Sequence, residues 1–272
     1  MPRTGSSPFA FPAFSGATRR LVLWNLFAYF ALLLMHMASA NNAELLAGEL
    51  SFIPSTFLHG WFWQPFTYSL VHIGILGTLF ELLSLWFLAG FLENAHSSSW
   101  ITGLYAASVL GTAVAATALY VVGGTLRLAL DQVPLYGCFG GIFGLLVAIG
   151  VLYGDVQFML FPLPIGIKAR YLVAIYALIS IAKLFGQQKI YAFSQLGGAL
   201  AGLFFIRLAP RRGFSFAFSE RWYGLRNRYY RWRRRRAARK FEVYMRSQGR
   251  TVRFDGQGRQ LDEDPDDKKR WN

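Results

Sequence analysis

Residues 136–146 read Tyr136-Gly137-Cys138-Phe139-Gly140-Gly141-Ile142-Phe143-Gly144-Leu145-Leu146. Two glycines four residues apart, Gly140 and Gly144, open an apolar run that continues to Tyr153. A second such pair, Gly198 and Gly202, lies in Gln195-Leu196-Gly197-Gly198-Ala199-Leu200-Ala201-Gly202, within the last apolar run. In lipid, small residues at this spacing let two helices approach backbone to backbone. The reading is of a helical membrane bundle whose fourth and sixth spans pack closely.

The composition agrees. The chain has 272 residues, 54% hydrophobic and only 15% charged, with a mean hydropathy of +0.33. Soluble domains carry about a quarter charged residues. The polar residues concentrate at the C-terminal end, so the apolar content sits in the first three quarters. Apolar segments run from Leu21 to Ala38, Phe66 to Leu92, Trp100 to Val122, Cys138 to Tyr153, Tyr171 to Phe185 and Tyr191 to Leu208. The fourth and fifth are short against the ~20 helical residues that a hydrocarbon core requires. The first is long for a signal peptide and is followed by further spans, so it reads as a retained helix. Between the first two segments, residues 39–65 read as an ordered loop at the interface, where Trp61-Phe62-Trp63 would sit. The expected class is an all-α membrane protein with six transmembrane helices. Its parts are a flexible segment at 1–18, a membrane domain at 19–209 and an Arg-rich tail at 210–272.

Charge sets the expected topology. Arg19 and Arg20, Lys168 and Arg170, and the basic block from Arg207 to Lys240 all fall on one side of a six-span frame. The positive-inside rule places both termini in the cytoplasm. The net charge of +14 comes mostly from that block. Beside a membrane it reads as a retention signal that attracts anionic lipid, and nucleic acid is not the expected partner. A helix on the membrane surface and a solvated basic extension are both open readings for residues 218–248. Residues from Asp255 onward read as disordered.

Four strings, in order, resemble the rhomboid family of intramembrane serine proteases. They are Trp63-Gln64-Pro65-Phe66-Thr67-Tyr68-Ser69-Leu70-Val71-His72 with the later Leu92-Glu93, the glycine string at 137–144, Lys168-Ala169-Arg170-Tyr171-Leu172 after Phe161-Pro162-Leu163-Pro164, and Gln195 to Gly202. The resemblance covers about residues 21–208. It implies the six-helix frame and locates an active site that has lost its chemistry. The family's nucleophilic Ser corresponds to Phe139, and its general base His to Gln195. Of three second-helix residues that help to hold the oxyanion, the first is kept as His72. The second corresponds to Gly77 and the third to Glu81.

Acyl transfer needs a nucleophile, a base in contact with it and donors for the oxyanion. Phe139 carries no nucleophilic atom, and Gln195 no base that works near neutral pH. An ionised Glu81 would oppose an oxyanion. The resemblance therefore implies a pseudoprotease, a membrane module that binds transmembrane client or partner proteins, with no cofactor and no metal. Cys138 precedes the nucleophile position and is the only cysteine. A one-residue step turns a helical side chain by about 100°, which directs it away from the sixth helix. A buried structural thiol is the simpler reading, and an intramembrane peptidase with displaced chemistry at Cys138 is the alternative. A third reading is lipid or small-molecule handling, with Glu81 and His72 lining a cavity. A carboxylate inside a span is costly, so Glu81 is either bonded within the bundle or functional. Lys183 can snorkel to the interface. The Phe- and Arg-rich composition and the lack of a targeting peptide lean towards a bacterial inner membrane.

Overall fold

The computed structural model describes residues 12–127, 134–160, 165–186, 189–208, 214–249, 253–254 and 260–261. They divide into two units, the first ending at Phe214 and the second beginning at Ser215.

Each apolar segment is helical in the first unit. Helix α1 runs Gly16–Ala38, α2 Ala40–Leu50, α3 Pro54–Leu58, α4 Gln64–Thr67, α5 Ile75–Glu93, α6 Ser98–Thr125, α7 Phe139–Leu152, α8 Ala169–Leu184 and α9 Lys189–Leu208. Among the described residues, α1, α5, α6 and α9 are long and apolar enough to cross a membrane. The segments that read as short are short: α7 has 14 residues and α8 has 16. Helix α1 exposes Trp24, Phe27, Phe30, Leu34 and Met37. Such a surface is untenable in water and natural against lipid chains.

The packing centre is the junction of α6, α7 and α9, built from small residues. A methyl group added at Gly202 would lie 2.7 Å from Gly144 Cα, and one at Gly198 would lie 2.9 Å from the Gly140 carbonyl oxygen. The two glycine pairs thus meet, as their spacing predicts. Helix α6 is the third partner, which its sequence did not advertise. A methyl group at Gly111 would strike Ala201, and one at Gly197 would strike Ala115. Ser108 and Thr112 of α6 return their hydroxyls to the Leu104 and Ser108 carbonyls of their own helix. These two hydroxyls therefore do not hold the helices apart.

The second apolar segment is not the continuous helix over 66–92 that its composition suggests. Residues 64–70 form two short turns, and the chain then runs extended through Gly74, at φ +79°, before α5 begins at Ile75. The break is held by side chains that serve backbone groups. Tyr68 donates to the Val109 carbonyl at 2.8 Å. The fully buried Gln64 accepts from Thr56 Oγ1 at 2.8 Å and from the Ile53 amide at 3.3 Å. The stretch at 39–65, read from the sequence as a loop, is mostly helical.

Helix α5 carries two carboxylates, and each caps the N-terminus of another helix. Glu93 accepts from the Ala17 amide at 2.6 Å, the Thr18 amide at 3.1 Å and Ser98 Oγ at 2.5 Å. Glu81 does the same for the entry to α7. The first turns of α1 and α7 contain no acidic residue of their own, so α5 supplies the carboxylate at each entry: Glu93 to the Ala17 and Thr18 amides, Glu81 to the Cys138 amide.

Strands β1 (Gln157–Leu160) and β2 (Ile165–Lys168) pair antiparallel between α7 and α8. Asp155 lies 3.3 Å from Arg170 Nη1 and 3.7 Å from Lys168 Nζ. The string Phe161 to Pro164 lies outside the described residues, as do residues 1–11 of the N-terminal segment.

The second unit is dominated by α10, Phe214–Ser247. A two-residue pairing of Arg253–Phe254 with Gln260–Leu261 follows. Residues 260 and 261 of the stretch from Asp255 onward, which reads as disordered in the sequence, take part in that pairing. The other residues of 255–272 lie outside the described set.

Candidate functional site

The chain enters α7 through a tightly fixed turn. Phe52 and Leu135 exchange backbone hydrogen bonds, both 2.9 Å. The Gly137 amide donates to the Tyr68 and Val71 carbonyls, at 3.1 and 2.7 Å. Gly137 adopts φ +84°, and a Cβ there would sit 2.6 Å from Glu81 Oε2. Only glycine meets both demands. The turn places Cys138 at the N-cap of α7, where its amide donates to Glu81 Oε2 at 2.9 Å. The Cys138 thiol lies 3.5 Å from the same oxygen.

His72 completes the group. It lies in the extended stretch before α5, not on the second helix as the sequence suggested. Its Nδ1 is 3.1 Å from the Leu70 carbonyl. A carbonyl only accepts, so Nδ1 carries a proton, and in the neutral ring Nε2 is left as an acceptor. Nε2 lies 3.4 Å from Glu81 Oε2 and makes no hydrogen bond. The side chains of His72 and Cys138 are closed to solvent, and that of Glu81 nearly so. The ligand atoms of the three residues lie within 4.8 Å of one another. Whether His72 could reach Cys138 was not visible in the sequence, because it depends on the break at Gly74.

The remaining degenerate positions are close to α8 and α9. Phe139 is partly buried and meets Tyr191 of α9 edge to face, with ring centroids 6.2 Å apart. Gln195 is buried, and its Oε1 accepts from Ser180 Oγ of α8 at 3.2 Å. No direct contact joins Phe139 and Gln195 among those seen in the structure. Gly77 does not join the site: it lies on an exposed side of α5, with open space where a side chain would project. On α5 it is Thr78, Glu81 and Leu82 that face inward. Gly140, Gly144, Gly198 and Gly202 serve helix packing, as read from their spacing.

The sequence did not point to His96. It stacks on Trp100 with ring centroids 4.0 Å apart, and its Nε2 lies 3.3 Å from the Tyr153 hydroxyl. It joins the α5–α6 connection to the end of α7. Burial holds its pKa below the usual histidine value.

No curated protein matches the chain. The family model described as "Eukaryotic integral membrane protein (DUF1751)" matches residues 20–214, which span α1 to α9. A family described as eukaryotic gives the bacterial inner membrane no support, and composition alone could not separate the two settings. A match over most of the chain, on helices with lipid-type surfaces, places this protein in that family of eukaryotic integral membrane proteins.

Proposed function

We propose that this is a rhomboid-like membrane module without protease chemistry, a pseudoprotease that binds transmembrane segments of client or partner proteins. The observation that carries the reading is the pair of side chains at the former catalytic positions. Phe139 and Gln195 supply neither nucleophile nor base, and both are engaged in packing or hydrogen bonding with neighbouring helices. Phe139 plugs the site against water and narrows it for an extended substrate backbone. The six-span frame with both termini cytoplasmic belongs to this reading. So do contact with the lipid bilayer and attraction of the Arg-rich tail to anionic lipid. No cofactor is required.

A second reading has one observation in its favour. Cys138 and His72 share a buried cluster, as a displaced thiol peptidase would need. A handling site for lipid or small molecules at Glu81 and His72 rests on the same cluster. The experiment is labelling of the purified full-length protein with a serine-directed fluorophosphonate and a thiol-directed peptide aldehyde, beside cleavage of a transmembrane substrate. No labelling and no cleavage, with photo-crosslinking of a transmembrane partner from Phe139 or Tyr191, is the expected result. Labelling that vanishes in Cys138→Ala, together with cleavage, would establish the peptidase instead.

A further inference from the structure

The geometry points to a binding site for a divalent cation of the zinc type, formed by His72 Nε2, Glu81 and Cys138 Sγ. The site goes beyond the proposed client-binding role and does not depend on it.

The first argument is the unresolved contact. With a neutral imidazole and an ionised carboxylate, His72 and Glu81 bring two acceptor atoms, Nε2 and Oε2, to 3.4 Å. Both are buried, and Nε2 has no hydrogen bond. A buried acceptor without a donor is expensive. A cation between the two removes the conflict. The proton on Nδ1 is already committed to the Leu70 carbonyl. That backbone hydrogen bond is how metal-ligating histidines fix their tautomer and ring direction.

The second argument is distance. Tetrahedral zinc has bonds of about 2.3 Å to sulfur and about 2.0–2.2 Å to nitrogen and oxygen, which imply edges of about 3.4 Å for N···O and about 3.6 Å for S···O. The observed separations are 3.4 Å for His72 Nε2 to Glu81 Oε2 and 3.5 Å for Cys138 Sγ to the same oxygen. Three elements supply one ligand each: the stretch before α5, α5 itself and the entry to α7. The Cys138 amide, donating to Glu81 Oε2, holds the carboxylate in place.

The third argument is charge. A carboxylate inside an apolar bundle is costly when alone. One divalent cation, one carboxylate, one thiolate and a neutral imidazole sum to zero. On binding, the thiol proton leaves to solvent and the sulfur bonds to the ion. Thiolate and imidazole select zinc over the oxygen-seeking magnesium and calcium. Three protein ligands leave a fourth position for water or for a donor from a bound client.

The test uses the full-length protein, purified in detergent without chelator. Zinc is measured by elemental analysis, and the metal-depleted protein is titrated with Co²⁺. The expected result is about one zinc per chain, and a sulfur-to-cobalt charge-transfer band in the near ultraviolet. Because Cys138 is the only cysteine, that band can arise from no other residue. Cys138→Ser should abolish it, and His72→Gln and Glu81→Gln should each weaken cobalt binding by more than about tenfold. Wild-type protein that carries no zinc and gives no band overturns the site. Wild-type affinity retained in His72→Gln also overturns it. The wild-type titration decides the matter even if a variant fails to fold.

Discussion

Gly137 shows how one residue can support several others. Its positive φ and the Glu81 carboxylate against it exclude any side chain. Gly137→Ala should destabilise the protein by about 1–3 kcal/mol, from backbone strain alone. The check is the thermal midpoint in detergent, with Gly77→Ala as the control, since that position faces open space. Equal loss in the two variants would show that the turn into α7 is not specially constrained. His96 makes a different prediction, about pH. Its pKa is lowered in the fold, so the folded state disfavours the protonated ring. The contribution is complete above the unfolded value of about 6.5 and is lost as pH falls towards the folded value. The thermal midpoint should therefore drop on acidification from about pH 7 to about pH 5, and His96→Gln should flatten that slope. A slope unchanged in His96→Gln would place the titration elsewhere.

At the scale of elements, the α6–α7–α9 junction depends on the absence of side chains. Gly202→Leu would drive a branched side chain into the Gly144 backbone, 2.7 Å from where its Cβ must lie. The expected loss is at least about 1–3 kcal/mol, read as a lower thermal midpoint and lower monodispersity by size exclusion. Gly48→Leu, with no atom near that position, should be nearly silent. The α7–α9 half of this junction was legible, because Gly140, Gly144, Gly198 and Gly202 repeat at helical spacing. The α6 half was not, since Ser108, Gly111, Thr112 and Ala115 resemble any small-residue stretch until a partner is known. The apolar segments were also legible, to within a few residues at most ends. The break before α5 was missed: Phe66 to Leu92 is apolar throughout, and Gly74 gives no warning beyond being a glycine. That miss misplaced His72; Gly77 was assigned to the site by the family resemblance, and it faces open space. The contact of Glu81 with Cys138 links residues 57 apart in sequence, and hydropathy and spacing carry no information on such pairings.

For the whole molecule, the question is what the basic unit does beside a membrane. From Arg226 to Arg246, α10 holds one acidic residue, Glu242, which lies 3.7 Å from Arg246. Arg228, Arg231, Arg233, Arg234, Arg236 and Arg239 are exposed, and so are Tyr229, Tyr230, Trp232 and Phe241. Arg236 lies 5.3 Å above the Trp232 ring. The sequence left a surface helix and a solvated extension open together; the helix is now visible, and its membrane contact is a prediction. Aromatic rings interleaved with arginines suit the headgroup layer, where the rings enter the interface and the cations meet lipid phosphates. Each arginine near an anionic surface contributes about 1 kcal/mol, so the helix should bind phosphatidylserine membranes and ignore neutral ones. Full-length protein in nanodiscs with and without phosphatidylserine would be digested with trypsin, following cleavage between residues 226 and 246. Slower cleavage in the anionic discs is expected. It should disappear near 1 M salt, where screening acts within about 3 Å. Equal rates in both kinds of disc at low salt would leave the tail as a solvated extension, and its partner would then have to be sought among soluble acidic proteins.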